Sequence, residues 1–184
     1  MHVPDGFIDA PTSVAAGAVA VAGIGCCLAG SRRELSERSA PLAGLVAAFV
    51  FAVQMLNFPV ASGTSGHLLG GALAAVLIGP WTGALCVTVV LVVQSVLFAD
   101  GGLTALGVNV ILMAFVTTAV GYATYRLTLA MLPRTLASVP VAAFVGALVS
   151  VPVASLGFVA FYAAGGPRAS RSRRWRRRWW ASMS

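Results

Sequence analysis

Charged side chains are scarce in this sequence of 184 residues. Lysine is absent, and charged residues make up only 9% of the chain, whereas 59% of the residues are hydrophobic. The mean hydropathy of +0.92 is too high for a soluble domain of this length, which needs far more polar surface to stay in water. The composition therefore predicts an integral membrane protein without a separate soluble domain.

Motifs of catalysis and nucleotide binding are also missing. The sequence has no Cys-x-x-Cys pair, no glycine-rich phosphate loop with its lysine, and no Ser, His and Asp arrangement on a soluble scaffold. The three cysteines, Cys26, Cys27 and Cys86, lie in apolar stretches, where a small buried hydrophobic residue is the usual role. We therefore expect this chain to bind no ATP and to be no enzyme.

Apolar stretches that can cross about 30 Å of hydrocarbon occupy most of the chain. One of them contains Pro80 and is too long for one span, so we divide it there. The sequence then predicts an all-α bundle of six transmembrane helices, at 11–30, 41–58, 67–79, 81–98, 103–132 and 137–162. The third is short for a full span and is expected to start partway into the bilayer.

The arginines orient this bundle. Arg32, Arg33 and Arg38 follow the first helix and Asp5 and Asp9 precede it, which is the reverse of the charge order in a cleavable signal peptide. By the positive-inside rule, the loop at 31–40 is cytoplasmic and the N-terminus lies outside. The remaining helices then place the loops at 59–66 and 100–102 outside, and the loop at 79–80 inside.

The tail at 166–184 does not fit this orientation. Its seven arginines between Arg168 and Arg178 would lie outside, whereas basic segments that bind anionic lipid or nucleic acid are normally cytoplasmic. We interpret the tail as the product of a shifted reading frame, because shifting plausible codons by two bases gives an apolar, helix-forming segment. The chain then divides into a membrane domain, 1–165, and a tail that replaces a final helix, with no nucleic-acid partner.

Polar side chains within the helices gather at one membrane level. The amides near the predicted outer helix ends can each make an interhelical hydrogen bond, but their shared level indicates a pocket that opens outward. Asp100 lies in a loop at the same level. The residues that we expect to line this pocket or to surround its site are Asp5, Gln54, Asn57, Thr64, Ser65, Gln94 and Asn109.

His2 and His67 are the only histidines. A free N-terminal amine, the deprotonated amide nitrogen of residue 2 and the His2 imidazole can form fused chelate rings around one metal ion. A fourth nitrogen from His67 would complete a square-planar set, which Ni(II) and Cu(II) favour and Co(II) can adopt. Mg(II) and Ca(II) prefer oxygen ligands. The alternatives are a hydrogen-bonded residue at a helix end for His67 and a disordered terminal residue for His2.

Three segments carry a family resemblance: MHVPDGFID at 1–9, QMLNFPV at 54–60 and GTSGHLLGG at 63–71. They resemble the nickel and cobalt substrate-capture subunits of energy-coupling-factor transporters, the CbiM and NikM family, and the resemblance runs to about residue 165. It implies an N-terminal loop inserted into the extracellular mouth of the bundle. It also implies a metal ion held by the Met1 amine, the His2 amide and imidazole, and the His67 imidazole.

The same resemblance implies an assembly in a bacterial or archaeal plasma membrane. Co(II) or Ni(II) would be the transported substrate, and the partners would be a transmembrane coupling subunit, two ATP-binding subunits and a small CbiN- or NikN-type membrane protein. The small-residue face that resembles a docking surface for the coupling subunit comprises Ala16, Ala18, Ala20 and Ala22. Packing of this face inside its own bundle is the alternative.

Two other function classes stay open. A self-sufficient metal channel or secondary carrier would need a continuous polar path through the membrane, and the inner half of the predicted bundle has almost no polar helix residues. An intramembrane enzyme would need paired catalytic groups within the bilayer, and the sequence shows none. Both alternatives are therefore less favoured than metal capture for a partner complex.

Overall fold

The computed structural model describes residues 2–37, 39–61, 64–133 and 135–166. Within these ranges the chain forms six helices: α1 Ala10–Ser31, α2 Ala40–Gln54, α3 Gly71–Ile78, α4 Pro80–Leu97, α5 Leu106–Met131 and α6 Ser138–Gly165. A short antiparallel hairpin of β1 Phe58–Ala61 and β2 Thr64–Gly66 joins α2 to α3. The predicted all-α bundle of six helices is confirmed, and the hairpin was not predicted. Met1 and the tail from residue 167 lie outside the described residues.

Prolines and an aspartate begin the helices. Pro11, Pro41 and Pro80 occupy the first turns of α1, α2 and α4, where the missing N–H of proline has no intrahelical partner to lose. Asp9 caps α1, because its Oδ1 accepts a hydrogen bond from the Thr12 main-chain N–H at 3.0 Å. Gly79, with φ of 93°, separates α3 from α4 at the predicted proline break.

The helix lengths refine the predicted spans. Four helices, α1, α4, α5 and α6, are long and apolar enough to cross a membrane. α2 has 15 residues and ends at Gln54 instead of Phe58, because Phe58 is the first residue of β1. α3 has only 8 residues and begins at Gly71. A short third helix is therefore confirmed, and its predicted start at His67 is wrong.

The bundle is apolar both inside and outside. The short α3 lies in its centre, where fully buried Ala74 shares a core with Val50 of α2 and Val87 of α4. Large exposed hydrophobic side chains also cover the outer helix faces, among them Val14, Leu45, Leu97 and Leu156. Exposed apolar side chains are favourable in lipid and unfavourable in water, so this surface agrees with the predicted membrane protein.

Small residues let the helix backbones approach closely. A Cβ atom added to Gly107 of α5 would lie 2.5 Å from the main-chain nitrogen of Gly17 in α1. One added to Gly83 of α4 would lie 2.8 Å from the main-chain nitrogen of Ala75 in α3. Neither position has room for a side chain, and close packing of this kind holds helices together in lipid.

Two groups of loops mark the two ends of the bundle. At one end, the Glu34 carboxylate accepts hydrogen bonds from the Trp81 and Thr82 main-chain N–H groups and from the Thr82 hydroxyl, with the Thr82 distances at 2.7 and 2.9 Å. The loops at 31–40 and 79–80 therefore meet, as the predicted threading requires. At the other end, the N-terminal segment meets the end of α6, where Asp9 N–H donates to the Gly165 carbonyl at 2.7 Å.

The Gly107 contact makes a testable prediction. Gly107→Ala forces a methyl group against the α1 backbone, so we expect it to destabilise the bundle by about 1–3 kcal/mol. The matched control is Gly25→Ala on the exposed face of α1, where a Cβ atom meets nothing within 4 Å. Thermal unfolding in detergent should show a lowered midpoint for the first variant only, and equal midpoints would contradict the packing described here.

Candidate metal centre

The N-terminal segment folds back onto the end of the bundle. Phe7 N–H donates to the Pro4 carbonyl at 3.4 Å, and Gly6 takes a φ of 77°, so Pro4, Asp5 and Gly6 form a turn. Val3 and Ile8 are buried against Ala105 and other residues of α5 and the loop before it. Two buried apolar side chains thereby fix the segment and bring His2 to the mouth of the bundle.

His2 and His67 lie side by side. Their ring centroids are 4.8 Å apart and the ring planes differ by 26°. Metal–nitrogen bonds of about 2.0–2.1 Å would put the centroids of two imidazoles about 4.5 Å apart in neighbouring corners of a square and about 6.3 Å apart in opposite corners. In a square of four nitrogens, the three N-terminal donors fill three consecutive corners, so the fourth ligand neighbours the His2 ring. The observed separation fits that arrangement.

A main-chain carbonyl sets the tautomer of His67. Its Nδ1 lies 3.0 Å from the Leu68 carbonyl oxygen, and because a carbonyl can only accept, Nδ1 carries the proton. In the neutral ring the lone pair is then on Nε2, which is the usual arrangement of a metal-binding histidine whose other nitrogen donates to a carbonyl. The chain around His67 is held in turn by Gln54, whose Nε2 donates to the Leu69 carbonyl at 2.7 Å.

Asp100 contacts His2 directly. Its Oδ1 lies 2.9 Å from His2 Nδ1, and the His2 side chain is only 5% exposed. Ala99 and Gly101, on either side, both have positive φ, of 52° and 96°, so the loop turns sharply to present the carboxylate. Sequence reasoning placed Asp100 at this level but did not name it as a site residue. Asp100 is the only acidic residue after Glu37, and this isolated position in an apolar chain could have identified it as a site residue.

Asn109 pairs with the main chain of Val3. Its Oδ1 accepts from the Val3 N–H at 2.8 Å and its Nδ2 donates to the Val3 carbonyl at 3.2 Å. The same carbonyl accepts from the Gly102 N–H at 2.9 Å. Asn109 was predicted near the site, and the structure shows its partner to be the residue directly after His2.

Asp5 does not approach the histidines as an acidic neighbour. Its Oδ1 accepts from the Thr104 N–H at 2.8 Å and from the Thr104 hydroxyl at 2.6 Å. The carboxylate near the rings is that of Asp100 instead. Asp5 therefore fastens the turn of the N-terminal segment to the loop before α5.

The other predicted pocket residues occupy varied positions. Gln94 is fully buried on α4 with its Nε2 3.9 Å from the Met55 sulfur, and its main-chain carbonyl accepts from Asp100 N–H at 3.1 Å. Asn57 is exposed in the turn after α2. Thr64 and Ser65 belong to β2, and their side chains lie outside the described part of the structure.

The alanines of α1 divide into two pairs. Ala16 and Ala20 are buried inside the bundle, at 3% and 4% exposure, which agrees with the alternative that these residues pack inside their own bundle. Ala18 and Ala22 point outward and are exposed. Only the second pair is available to a neighbouring helix.

Side chains alone do not make a complete metal site here. Within the described ranges, no group of three or more His, Cys, Asp or Glu side chains could hold a metal ion. Two imidazoles come together, so further nitrogen ligands would have to come from the main chain. The free thiols lie elsewhere: Cys26 and Cys27 line a groove near Trp81 at the opposite end of α1, and the Cys86 thiol donates to the Ala43 carbonyl at 3.5 Å.

The Asp5 contact makes a prediction about pH. Hydrogen bonds from the Thr104 side chain and then its main chain lower the pKa of Asp5. Because the folded pKa is lowered, the stabilisation is present above the unfolded pKa and is lost as the pH falls through the folded value. Hydrogen exchange of residues 3–8 should therefore accelerate in acid, relative to the amides of α4. Asp5→Asn should abolish that acid dependence, and an unchanged profile in the variant would contradict this origin.

Known proteins similar to this chain share its family. A family model described as the cobalt uptake substrate-specific transmembrane region, CbiM, matches residues 2–183. A fused nickel transport protein NikMN of Rhodobacter capsulatus is 39% identical over 127 residues, which are 69% of this chain and 37% of that protein. A cobalt transport protein CbiM of Lachnoclostridium phytofermentans is 30% identical over 164 residues, 88% of this chain and 66% of that protein.

Structural similarity agrees with these matches. A crystal structure of a truncated transition metal transporter has a TM-score of 0.72 and 33% identity, over 82% of this chain and 70% of that one. Against three of the curated relatives that it matches, this chain covers 37% to 58% of their length. The bundle and the segments that carry both histidines lie within the family match. The chain belongs to the CbiM family of cobalt uptake substrate-specific transmembrane proteins.

Proposed function

We propose that this protein captures Co(II) or Ni(II) at the outer membrane face for uptake driven by partner subunits. The observation that carries the proposal is the approach of the only two histidines to a centroid distance of 4.8 Å. Relatives named as nickel and cobalt transport proteins support the choice of substrate. The metal is cargo, so the site must bind it selectively and later release it.

The ligand set consists of four nitrogens. The Met1 amine, the His2 amide nitrogen and His2 Nδ1 form one five-membered and one six-membered chelate ring, and His67 Nε2 supplies the fourth corner. Nδ1 is the ring nitrogen of His2 that can close such a ring with its own amide. This nitrogen contacts Asp100, so metal binding would exchange that contact for the metal.

This chemistry selects transition metals. The His2 amide loses its proton only to a strongly polarising ion, and a planar set of four nitrogens suits Ni(II) and Cu(II), with Co(II) accommodated. Mg(II) and Ca(II) demand oxygen ligands and larger coordination numbers. The ligand set does not separate cobalt from nickel, so the proposal covers both.

Transport requires partners in this proposal. The chain would work with a transmembrane coupling subunit, two ATP-binding subunits and a small CbiN- or NikN-type protein, and the fused name NikMN of a relative supports the last of these. The exposed Ala18 and Ala22 of α1 would meet the coupling subunit, because small residues allow close helix contact in lipid. The arginine loop after α1 would face the cytoplasm and the metal site the exterior.

The region below the site favours capture over a self-sufficient channel. Val3, Leu69, Asn109 and Met113 enclose a cavity of only about 10 Å³, which is at the lower limit of about 10–15 Å³ that holds one water molecule. Leu69 and Met113 belong to the apolar core that continues through α2, α3 and α4. A hydrated ion does not fit this cavity, so passage at this point would need a conformational change.

Metal binding tests the site. Acetylation of the Met1 amine or the substitution His67→Ala should weaken Ni(II) and Co(II) binding by more than the 10- to 100-fold typical of losing an outer-shell partner, because each removes a ligand. Isothermal titration calorimetry of the full chain in detergent measures this. Cys27→Ala, at the opposite end of α1, is the control. Affinities equal to that of the unmodified chain would remove the proposed ligand set.

Metal uptake tests the dependence on partners. Cells that produce this chain alone should accumulate no more Co(II) or Ni(II) than control cells. Cells that also produce the coupling and ATP-binding subunits should accumulate the metal, and a variant of the ATP-binding subunit that cannot hydrolyse ATP should abolish the difference. Uptake by this chain alone would instead support the self-sufficient carrier.

A further inference from the structure

We infer that Asn109 is a positioning residue that holds the N-terminal chelate in its binding geometry by pairing with the main chain of Val3. This inference rests on the proposed function, since it assumes that the nitrogens around His2 bind the metal. Asn109 itself touches neither imidazole in this assignment. Its effect passes through the peptide that follows His2.

The pairing resembles one rung of a β-ladder. A strand neighbour would offer one carbonyl acceptor and one N–H donor to Val3, and the Asn109 amide offers the same two groups at 2.8 and 3.2 Å. The Gly102 N–H adds a second donor to the Val3 carbonyl at 2.9 Å. Both polar main-chain groups of Val3 are therefore satisfied, although Val3 is only 3% exposed.

The position of Asn109 in α5 makes the pairing rigid. Asn109 ends the first α-helical turn, Leu106–Asn109, and the next seven residues, Val110–Val116, form a π-helical segment. Wide turns of this kind are frequent at functional sites. Asn109 is 2% exposed, and its neighbour Val108 is fully buried. The amide therefore comes from a packed helix and not from a mobile loop.

Two glycines of the loop after α4, Gly101 and Gly102, pack closely against the N-terminal segment near Asn109. A Cβ atom on Gly101 would lie 3.2 Å from the His2 Cβ and 3.3 Å from Asn109 Nδ2. One on Gly102 would overlap the Asp5 main-chain nitrogen. The segment at residues 2–5 is thus enclosed between Asn109 on one side and this loop on the other.

This enclosure matters because of how the chelate forms. The Val3 N–H belongs to the peptide plane that starts at the His2 carbonyl, so fixing Val3 fixes the main-chain rotation after the His2 Cα. The His2 Cα carries both the amide nitrogen and the side chain, so holding the peptide that follows it limits where these two donors lie, while rotation about the Cα–Cβ bond sets the angle between them. A His2 residue held in this way stays beside His67, which reduces the ordering cost of binding.

The test compares Asn109→Leu with Thr118→Val in the full chain. Leucine has the same number and branching of side-chain heavy atoms as asparagine and loses both hydrogen bonds. Thr118 is a buried polar residue of the same helix whose hydroxyl has no hydrogen-bond partner among the described residues. We expect Asn109→Leu to weaken Ni(II) binding by about 10- to 100-fold. The visible absorption band at saturating Ni(II) should not move, because the four nitrogens are unchanged. Thr118→Val should bind as the wild type does.

Hydrogen exchange and Met1 acetylation make each outcome decisive. Asn109→Leu should accelerate exchange at residues 3–8 and leave α4 unchanged. Wild-type affinity in Asn109→Leu would overturn this inference, and so would accelerated exchange throughout the bundle, which indicates general packing. Acetylation of Met1 in the wild type separates the two levels. If it has no effect on affinity, the proposed ligand set fails, and with it the basis of this inference. If it abolishes binding while Asn109→Leu does not weaken it, only the role of Asn109 fails.

Discussion

The hydrogen bonds that enclose Val3 are the constraint on which the rest of the site depends. Ordering a free terminus costs about 1–2 kcal/mol of backbone entropy per residue, and short segments at chain ends stay mobile unless they are tied down. Here three hydrogen bonds to Val3 and the burial of Val3 and Ile8 meet that cost. His2 can lie beside His67 because the residue after it has already been fixed.

The apolar bundle explains why the polar groups concentrate at one end. Within lipid, helices associate through close packing and not through the hydrophobic effect, so small residues such as Gly107 and Gly83 occupy the helix crossings. A metal ion in the middle of such a bundle would lose its bound water molecules, and the apolar side chains there could not replace them. At the helix ends, main-chain groups, short loops and buried amides are all available as partners.

The helices and the histidine pair followed from the sequence for simple reasons. The length of an apolar run determines whether it can cross the bilayer, and Pro80 marked the break between α3 and α4. Two histidines in an otherwise apolar chain had few alternative partners. The hairpin was missed because Phe58 continues the apolar run of α2 and the residues after it were assigned to a loop, and hydropathy does not distinguish a short strand from a helix end.

The details of contact needed the structure. Asp100 reaches His2 only because Ala99 and Gly101 both adopt positive φ, and a loop's turn geometry is not encoded in periodicity. Asp5 and Asp100 lie at the same level, so sequence alone could not tell which carboxylate meets the ring. For α1, the spacing of the alanines described two stripes, and because the helix is apolar all round, nothing in the pattern told which stripe faces inward.

Two carboxylates, those of Glu34 and Asp100, lie at opposite ends of α4. Glu34 binds its first turn, and the loop that carries Asp100 leaves its last turn through a hydrogen bond to the Gln94 carbonyl. With 18 residues, α4 is a rod of about 27 Å. It joins the arginine-bearing loop at one membrane face to the residue touching His2 at the other. One continuous helix therefore connects the Glu34 contact at one end of the bundle to the loop that contacts His2, a proposed metal ligand, at the other.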